Sequence, residues 1–307
     1  MPPTVTLREV ARQAGVSPTA VSQAMRDACK SAFLSDKRRN EILRVARKVG
    51  YRPNDDIAVI MRDRKGGPDP FLIQAFLGVH QAIQASGGRA ILEHVAAGNI
   101  PQSISGWQCG GVLFLENASY YPQAVESLDE KGIAYATINP SQDQPMNCIV
   151  SDDEQALLKG LQWLREQDCM DYAFVVPQIN HCSYNKRLNA YMGFIRQSGL
   201  SPRVFSDTDV KENLNAVRNL PADKRIGLIT INEWYMALDA ILSPQHDVKI
   251  LTLKSANSAW ASPQATLDVP LCEMGIKGVE MIHQKWADRS LHSPSIVVMP
   301  KLTISET

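Results

Sequence analysis

The sequence predicts an α/β protein with a small N-terminal helix-turn-helix head and a two-lobed body of parallel sheets. Three observations predict it. Residues 7–26, LREVARQAGVSPTAVSQAMR, place small and apolar residues where two short helices must cross. From residue 57 onward, short apolar runs alternate with amphipathic helical stretches. Charge is also divided along the chain. Residues 1–65 hold 14 Lys plus Arg against 7 Asp plus Glu, and the remainder 18 against 25, although the whole is neutral with 32 of each.

The head follows from its spacing. Ala11 lies four residues before Gly15 and Val21 six after it, with Val10, Ala14, Val16 and Ala24 as the other buried positions. Gly15 permits the left-handed backbone of a sharp interhelical turn, Ala11 lets the helices approach, and Val21 plugs the crossing. An ordinary αα-corner would share this pattern. The local excess of basic charge favours the DNA-binding form, whose second helix enters the major groove. Ser17 caps that helix and Pro18 takes its tolerant first position. A third helix starts at the cap Ser35 with Asp36 in its first turn. Ile42, Ala46 and Val49 share one face, and Gly50 ends the helix. Arg38, Arg39, Arg44, Arg47 and Lys48 occupy its other faces, and Tyr51-Arg52-Pro53-Asn54 breaks the pattern.

In the body, buried strands are expected at 57–61, 89–95, 111–116, 133–138, 172–176, 226–231 and 248–253. Helices are expected near 70–86, 120–131, 153–167, 184–198 and 234–242. Alternating β and α in two successive sets predicts two lobes with helices on both faces of each sheet. A helix at 271–288 and a strand at 295–299 then cross back between lobes.

Composition narrows the function classes. At 307 residues and 44% hydrophobic, the chain has material for a head plus one large or two medium domains. No run approaches the roughly 18 apolar residues of a membrane span, and the start MPPTVTLREV lacks a signal-peptide layout. The six cysteines are scattered without CxxC spacing, which points to reduced thiols in a cytoplasmic protein and to no metal site. Ser183-Tyr184-Asn185-Lys186 fits SxxK, but no Lys-Thr-Gly, GxSxG, HExxH or Walker motif accompanies it. Asp152-Asp153-Glu154 reads as the acidic first turn of a helix. No catalytic residue, cofactor or membrane partner is expected.

The motif VTLREVARQAGVSPTAVSQAM, the Tyr-Arg-Pro-Asn exit and the two-lobed body together resemble the lac-repressor (LacI/GalR) family over nearly the whole chain. Asp69-Pro70-Phe71, SDDEQALLKGLQWL, SYNKRLNAYMGF, MALDAI and ATLDVPLCEMG resemble further family segments. The resemblance implies a DNA-binding domain at 1–54 and a periplasmic-binding-protein-like body at 55–307. Lobe 1 would span about 57–168 and 268–290, and lobe 2 about 169–267 and 291–307. It further implies a homodimeric transcription regulator, a repressor by expectation, that reads a near-palindromic operator and responds to a sugar or anionic metabolite. Thr6, Ser17, Pro18, Thr19, Ser22, Gln23, Arg26, Arg39, Tyr51 and Asn54 are the DNA-contact candidates. Phe71, Asp152, Arg187, Asn232, Glu233 and Lys254 are the effector candidates. Two other readings remain open: a small-molecule binding protein with vestigial DNA binding, and a DNA-binding protein that needs no effector.

Three departures from the family pattern matter. Residues 53–70 are about a dozen too few for a hinge helix, a linker and a first body strand. IAVIM at 57–61 is therefore either a hinge helix with Ile60 as a minor-groove wedge or the first strand. Its β-branched residues and its distance from Pro70-Phe71 favour the strand. In the recognition helix, Gln23 stands where many relatives carry Arg, and Gln pairs bidentately with adenine. Ala20 replaces a phosphate-binding Thr. Lys254 stands where relatives place an acid. That reversal implies either an anionic effector or an internal pair of Lys254 with Asp152 or Glu233. Trp107 and Trp234 are ring-stacking candidates for which core packing is the commoner role.

Overall fold

The structure, a computed structural model, describes residues 5–26, 34–64, 69–142, 146–207, 209–242, 246–253, 264–288 and 293–305. The head is three helices, α1 (Leu7–Ala14), α2 (Pro18–Ala24) and α3 (Asp36–Val49). Each starts at a hydroxyl cap. Thr6 Oγ1 accepts from the Glu9 amide, Ser17 Oγ from Ala20 and Ser35 Oγ from Arg38, at 3.3, 3.2 and 3.4 Å. Gly15 ends α1 at φ 62° and ψ 41°, the left-handed turn that the spacing requires. Arg38 on α3 braces this turn, donating to the carbonyls of Ala14 and Gly15 at 3.2 Å each. Val10, Val21, Ile42 and Ala46 close the three-helix core.

The chain divides into two compact units, the first of which includes the head. The first runs to Val150 and adds Leu271–Ile296; the second is Ser151–Pro270 with Val297 onward. In chain order the elements are β1 (Ile57–Arg62), α4 (Pro70–Ala85), β2 (Ala90–Val95), α5 (Gln102–Ser105), β3 (Gly111–Leu115), a 3₁₀ turn at Ala118–Tyr120, α6 (Pro122–Lys131), β4 (Ala134–Ile138) and β5 (Cys148–Ser151). They continue with α7 (Asp153–Glu166), β6 (Asp171–Val175), α8 (Cys182–Gln197), β7 (Val204–Phe205), α9 (Val210–Val217), β8 (Ile226–Ile231), α10 (Asn232–Leu242) and β9 (Val248–Leu253). Last come β10 (Ala265–Asp268), α11 (Leu271–Ala287), β11 (Ile296–Val298) and β12 (Lys301–Ile304). One sheet has the order β11-β5-β4-β3-β1-β2 and the other β12-β10-β9-β8-β6-β7.

Residues 57–61 are a strand. β1 pairs in parallel with β2 on one side and β3 on the other, opposing Ile60 to Glu93 and Phe114. Ile60 is 0% exposed, so the alternative of a hinge helix with Ile60 as a wedge is excluded. An interior parallel strand buries both faces, which is why it reads as an unbroken apolar run.

The lobe boundary differs from the expected one. The chain crosses at 150/151, so α7 belongs to the second unit and residues up to Ile296 to the first. Packing explains the shift. Ala156, Leu157 and Leu161 of α7 share a core with Phe174 and Leu251, and a Cβ at Gly160 would lie 2.4 Å from the Leu251 side chain. The short strands β5, β7 and β12 and the helix α9 carry too little periodic pattern to be read from sequence.

Candidate nucleic-acid interface and ligand-facing residues

The recognition helix α2 presents Ser17, Pro18, Thr19 and Arg26 to solvent, while Ser22 and Gln23 are half-buried at its flank. Thr6 is exposed at the start of α1. These seven candidates therefore lie at the outer side of the head, where Val21 and Ala24 on the opposite side of α2 fix the helix to its core. The acidic first turn of α1 is neutralised locally. Hydrogen bonds from Arg12 and Gln13 hold the Glu9 carboxyl down at about 2.

Three other candidates face the body. The Tyr51 ring is buried and stands edge-on to Trp107, with centroids 5.5 Å apart. Asn54 Nδ2 donates to the Gln108 carbonyl at 2.9 Å and to Asp56 at 3.2 Å. Arg39 pairs with Glu130 of α6 at 3.7 Å. Tyr51 and Asn54, both DNA-contact candidates, thus take part in the seam between head and first unit. The reason is the short connection: without a hinge segment, the Tyr-Arg-Pro-Asn exit runs straight into β1. Arg52 completes the seam. It is 5% exposed, lies 4.6 Å over the Trp286 ring and donates to Asp55 at 2.7 Å. Head and first-unit residues form one continuous apolar cluster, joined through Tyr51 and Trp107.

Residues 6–54 match the family described as bacterial regulatory proteins, lacI family. Over 91% of this chain and 92% of the relative, the sequence is 22% identical to the HTH-type transcriptional regulator MalR of Streptococcus pneumoniae. The head is thus similar to the DNA-binding segment of that family. The chain's fold matches a transcriptional regulator CelR–cellobiose complex at TM-score 0.62 and 18% identity, covering 98% of both chains. It also matches a lac repressor dimer bound to operator and the anti-inducer ONPF, at TM-score 0.60 and 15% identity, covering 99% of this chain and 98% of that one. The chain thus joins a head similar to the lacI family to two parallel-sheet α/β lobes, the fold of these solved structures.

LacI-family sequence positions also led to the effector candidates. Arg187 lies on α8. It donates to Asp153 Oδ1 through Nε at 3.0 Å and Nη2 at 2.5 Å. Asp153 is 2% exposed and also accepts from Ser151 Oγ at 2.7 Å. Burial pushes its carboxyl up, but Arg187, Ser183 and Ser151 outweigh this and hold it below the ordinary range. Asp152 instead caps α7, accepting from the Gln155 amide at 3.1 Å. The two effector candidates thus stand apart: Asp152 points its carboxylate at its own helix, while Arg187 pairs with the next residue, Asp153. Ser183 of the SxxK match is part of this structural set.

Asn232 opens α10 directly after β8, is 5% exposed, and its Oδ1 has no hydrogen-bond partner. Thr230 Oγ1, near the end of β8, is buried and unpartnered too. Glu233 is exposed. Lys254 and the Phe71 side chain lie outside the described residues, so neither reading of Lys254 gains a geometry. Trp107 is core.

One cluster escaped the sequence reading. At the carboxyl end of the first sheet, Glu116 follows β3 at φ 89° and takes an ion pair from Arg64, which also meets Asp69 at 3.3 Å. Arg62 lies 3.4 Å from Glu116 without a hydrogen-bonding alignment, and stacks 4.7 Å over Tyr120. Burial raises the Glu116 carboxyl, against the pull of Arg64 and Arg62. A charged residue placed immediately after a fully apolar strand was the available signal. Among the described residues there is no group of His, Cys, Asp and Glu able to hold a metal ion, and no helix long and apolar enough to cross a membrane.

Proposed function

We propose that the chain is a cytoplasmic repressor that binds a near-palindromic operator as a homodimer and answers to a small metabolite. The carrying observation is the LacI-type head itself, with α2 turned outward and Thr19 and Gln23 on it. Thr19 and Gln23 read bases, Gln23 favouring adenine through its amide. Ser17, Ser22, Arg26 and Thr6 position the helix on phosphates. Two heads related by a two-fold axis meet half-sites about one helical turn apart.

Metabolite control rests on Asn232. A buried, unpartnered amide oxygen costs about 1–3 kcal/mol, and this one stands at the carboxyl end of a parallel strand, where such folds take their ligands. A polar ligand donating to it removes that cost. The named relatives include a regulator in complex with cellobiose, which supports a sugar-like class. The commitment of Arg187 to Asp153 favours, as the second reading, a DNA-binding protein that needs no effector.

The test is selection of bound sequences from a random DNA pool with the full-length protein. The proposal expects a two-fold symmetric motif with adenine at one fixed slot in each half. Enrichment of no motif, with only salt-sensitive binding, would overturn it.

A further inference from the structure

A cavity of about 300 Å³ opens where α3 of the head meets the first unit. Arg47 of α3, Asp129 of α6, Tyr135 of β4, Asn147, and Lys285 and Trp286 of α11 line it. It lies by the amino end of β4, whereas ligands of parallel α/β sheets bind at carboxyl ends. It is therefore distinct from the places where Asn232 and Glu116 stand.

Two cations meet there against one carboxylate. The Lys285 ammonium is held in place, donating to Asn147 Oδ1 at 2.6 Å and to the Tyr135 carbonyl at 3.1 Å, and lies 5.8 Å from the Tyr135 ring. Arg47 Nη1 donates to the Asp129 carbonyl at 3.3 Å. Gly132 allows this approach: a Cβ there would lie 2.7 Å from Arg47 Cγ, at a backbone φ of 65°. Burial lowers the Lys285 pKa although Asp129 opposes it, and burial raises the Asp129 carboxyl against Lys285 and Arg47. Both shifts mark a cleft where charge is incompletely solvated, and the positive sign predominates.

We infer that this cavity binds the phosphate group of a small metabolite between Arg47 and Lys285, and that its occupancy ties α3 of the head to α11. Arg supplies a planar fork of donors and Lys a compact point charge, the pairing suited to a phosphate dianion. The half-buried ammonium fits a small anion better than a duplex backbone.

The experiment is thermal unfolding of the full chain against inorganic phosphate and glycerol 3-phosphate, with ionic strength held constant by chloride. Saturable stabilisation following the one-site binding law is expected. Arg47 is exposed, so Arg47→Gln leaves the fold intact. It should weaken the phosphate Kd by about tenfold or more, the loss of one charge-assisted contact. Lys285→Met should do the same, with phosphorus-31 line broadening on the folded variant as a readout that does not depend on its stability. A non-saturating response, or one unchanged in both variants, would overturn the inference. So would an Arg47→Gln variant that binds phosphate unchanged and whose only effect is to lower the salt slope of DNA binding by about 1, because Arg47 would then be a backbone contact.

Discussion

Tyr51 and Trp107 meet edge to face, their planes at 83°. Tyr51 is the first residue after the last turn of the head, and Trp107 sits in the first unit at a positive φ of 47°. Both rings belong to the single apolar cluster that runs through the head and the lobe. The binding surface of α2 is thereby carried as part of the first unit, with no independent hinge segment to fold.

Coupling across the seam has a direct measure. Tyr51→Ala and Trp107→Ala should each cost about 3 kcal/mol of unfolding free energy, as buried aromatic truncations do. The double variant should fall short of the sum by about 1 kcal/mol, the worth of an edge-to-face pair. Urea unfolding of the four proteins gives the cycle, and strict additivity would mean that the two rings do not support each other.

Arg187→Met should destabilise the second unit by about 3–5 kcal/mol, because it leaves Asp153 buried without its partner. Adding Asp153→Asn should return much of that loss. The acid response follows from the depressed carboxyl. In the unaltered protein the stabilisation by Asp153 is complete above its unfolded pKa of about 3.9 and is lost as pH falls through the lower folded value. In Arg187→Met burial dominates, the folded pKa rises, and stability should instead fall as pH rises above about 4. Chemical denaturation across pH reads both limbs.

His283 of α11 gives the seam its own pH dependence. Burial lowers its pKa, which Asp55 opposes and Arg52 reinforces, and its Nε2 is buried without a partner. The unfolded state therefore binds the proton more readily, at about pH 6.5. Stability is full above that value and declines as pH falls through it toward the folded pKa. His283→Gln should flatten the fall in melting temperature between about pH 7.5 and 5.5. An equal fall in the variant would assign the effect elsewhere.

Base preference tests α2. Gln23→Arg should move the selected base from adenine to guanine in each half-site, by about 1–3 kcal/mol of discrimination. An unchanged preference would remove Gln23 from the base-reading set.

Much of the fold was legible because it is written in periodic patterns. Gly15 and the caps Ser17 and Ser35 predicted their turns and helix starts at the residue. The β-branched run at 57–61 favoured the strand it forms. The seam was harder to read. Tyr51 and Arg52 are polar-tipped residues at a chain break, and only their partners Trp107 and Trp286, distant in sequence, show that they are buried. That Asp152 caps its own helix while Asp153 meets Arg187 is a one-residue matter that spacing does not resolve. Arg64 and Glu116 meet across 52 residues, and Lys285 and Asn147 across 138, so no local pattern brings either pair together.

The most direct test of the docked head is native-state hydrogen exchange. The amides of Val10, Val21 and Ile42 in the head should open with free energies within about 1 kcal/mol of those of Val59 and Ile60 in β1, as one cooperative unit. Head amides exchanging several kcal/mol more easily than β1 would mean that the head unfolds on its own, and that the Tyr51–Trp107 contact does not carry it.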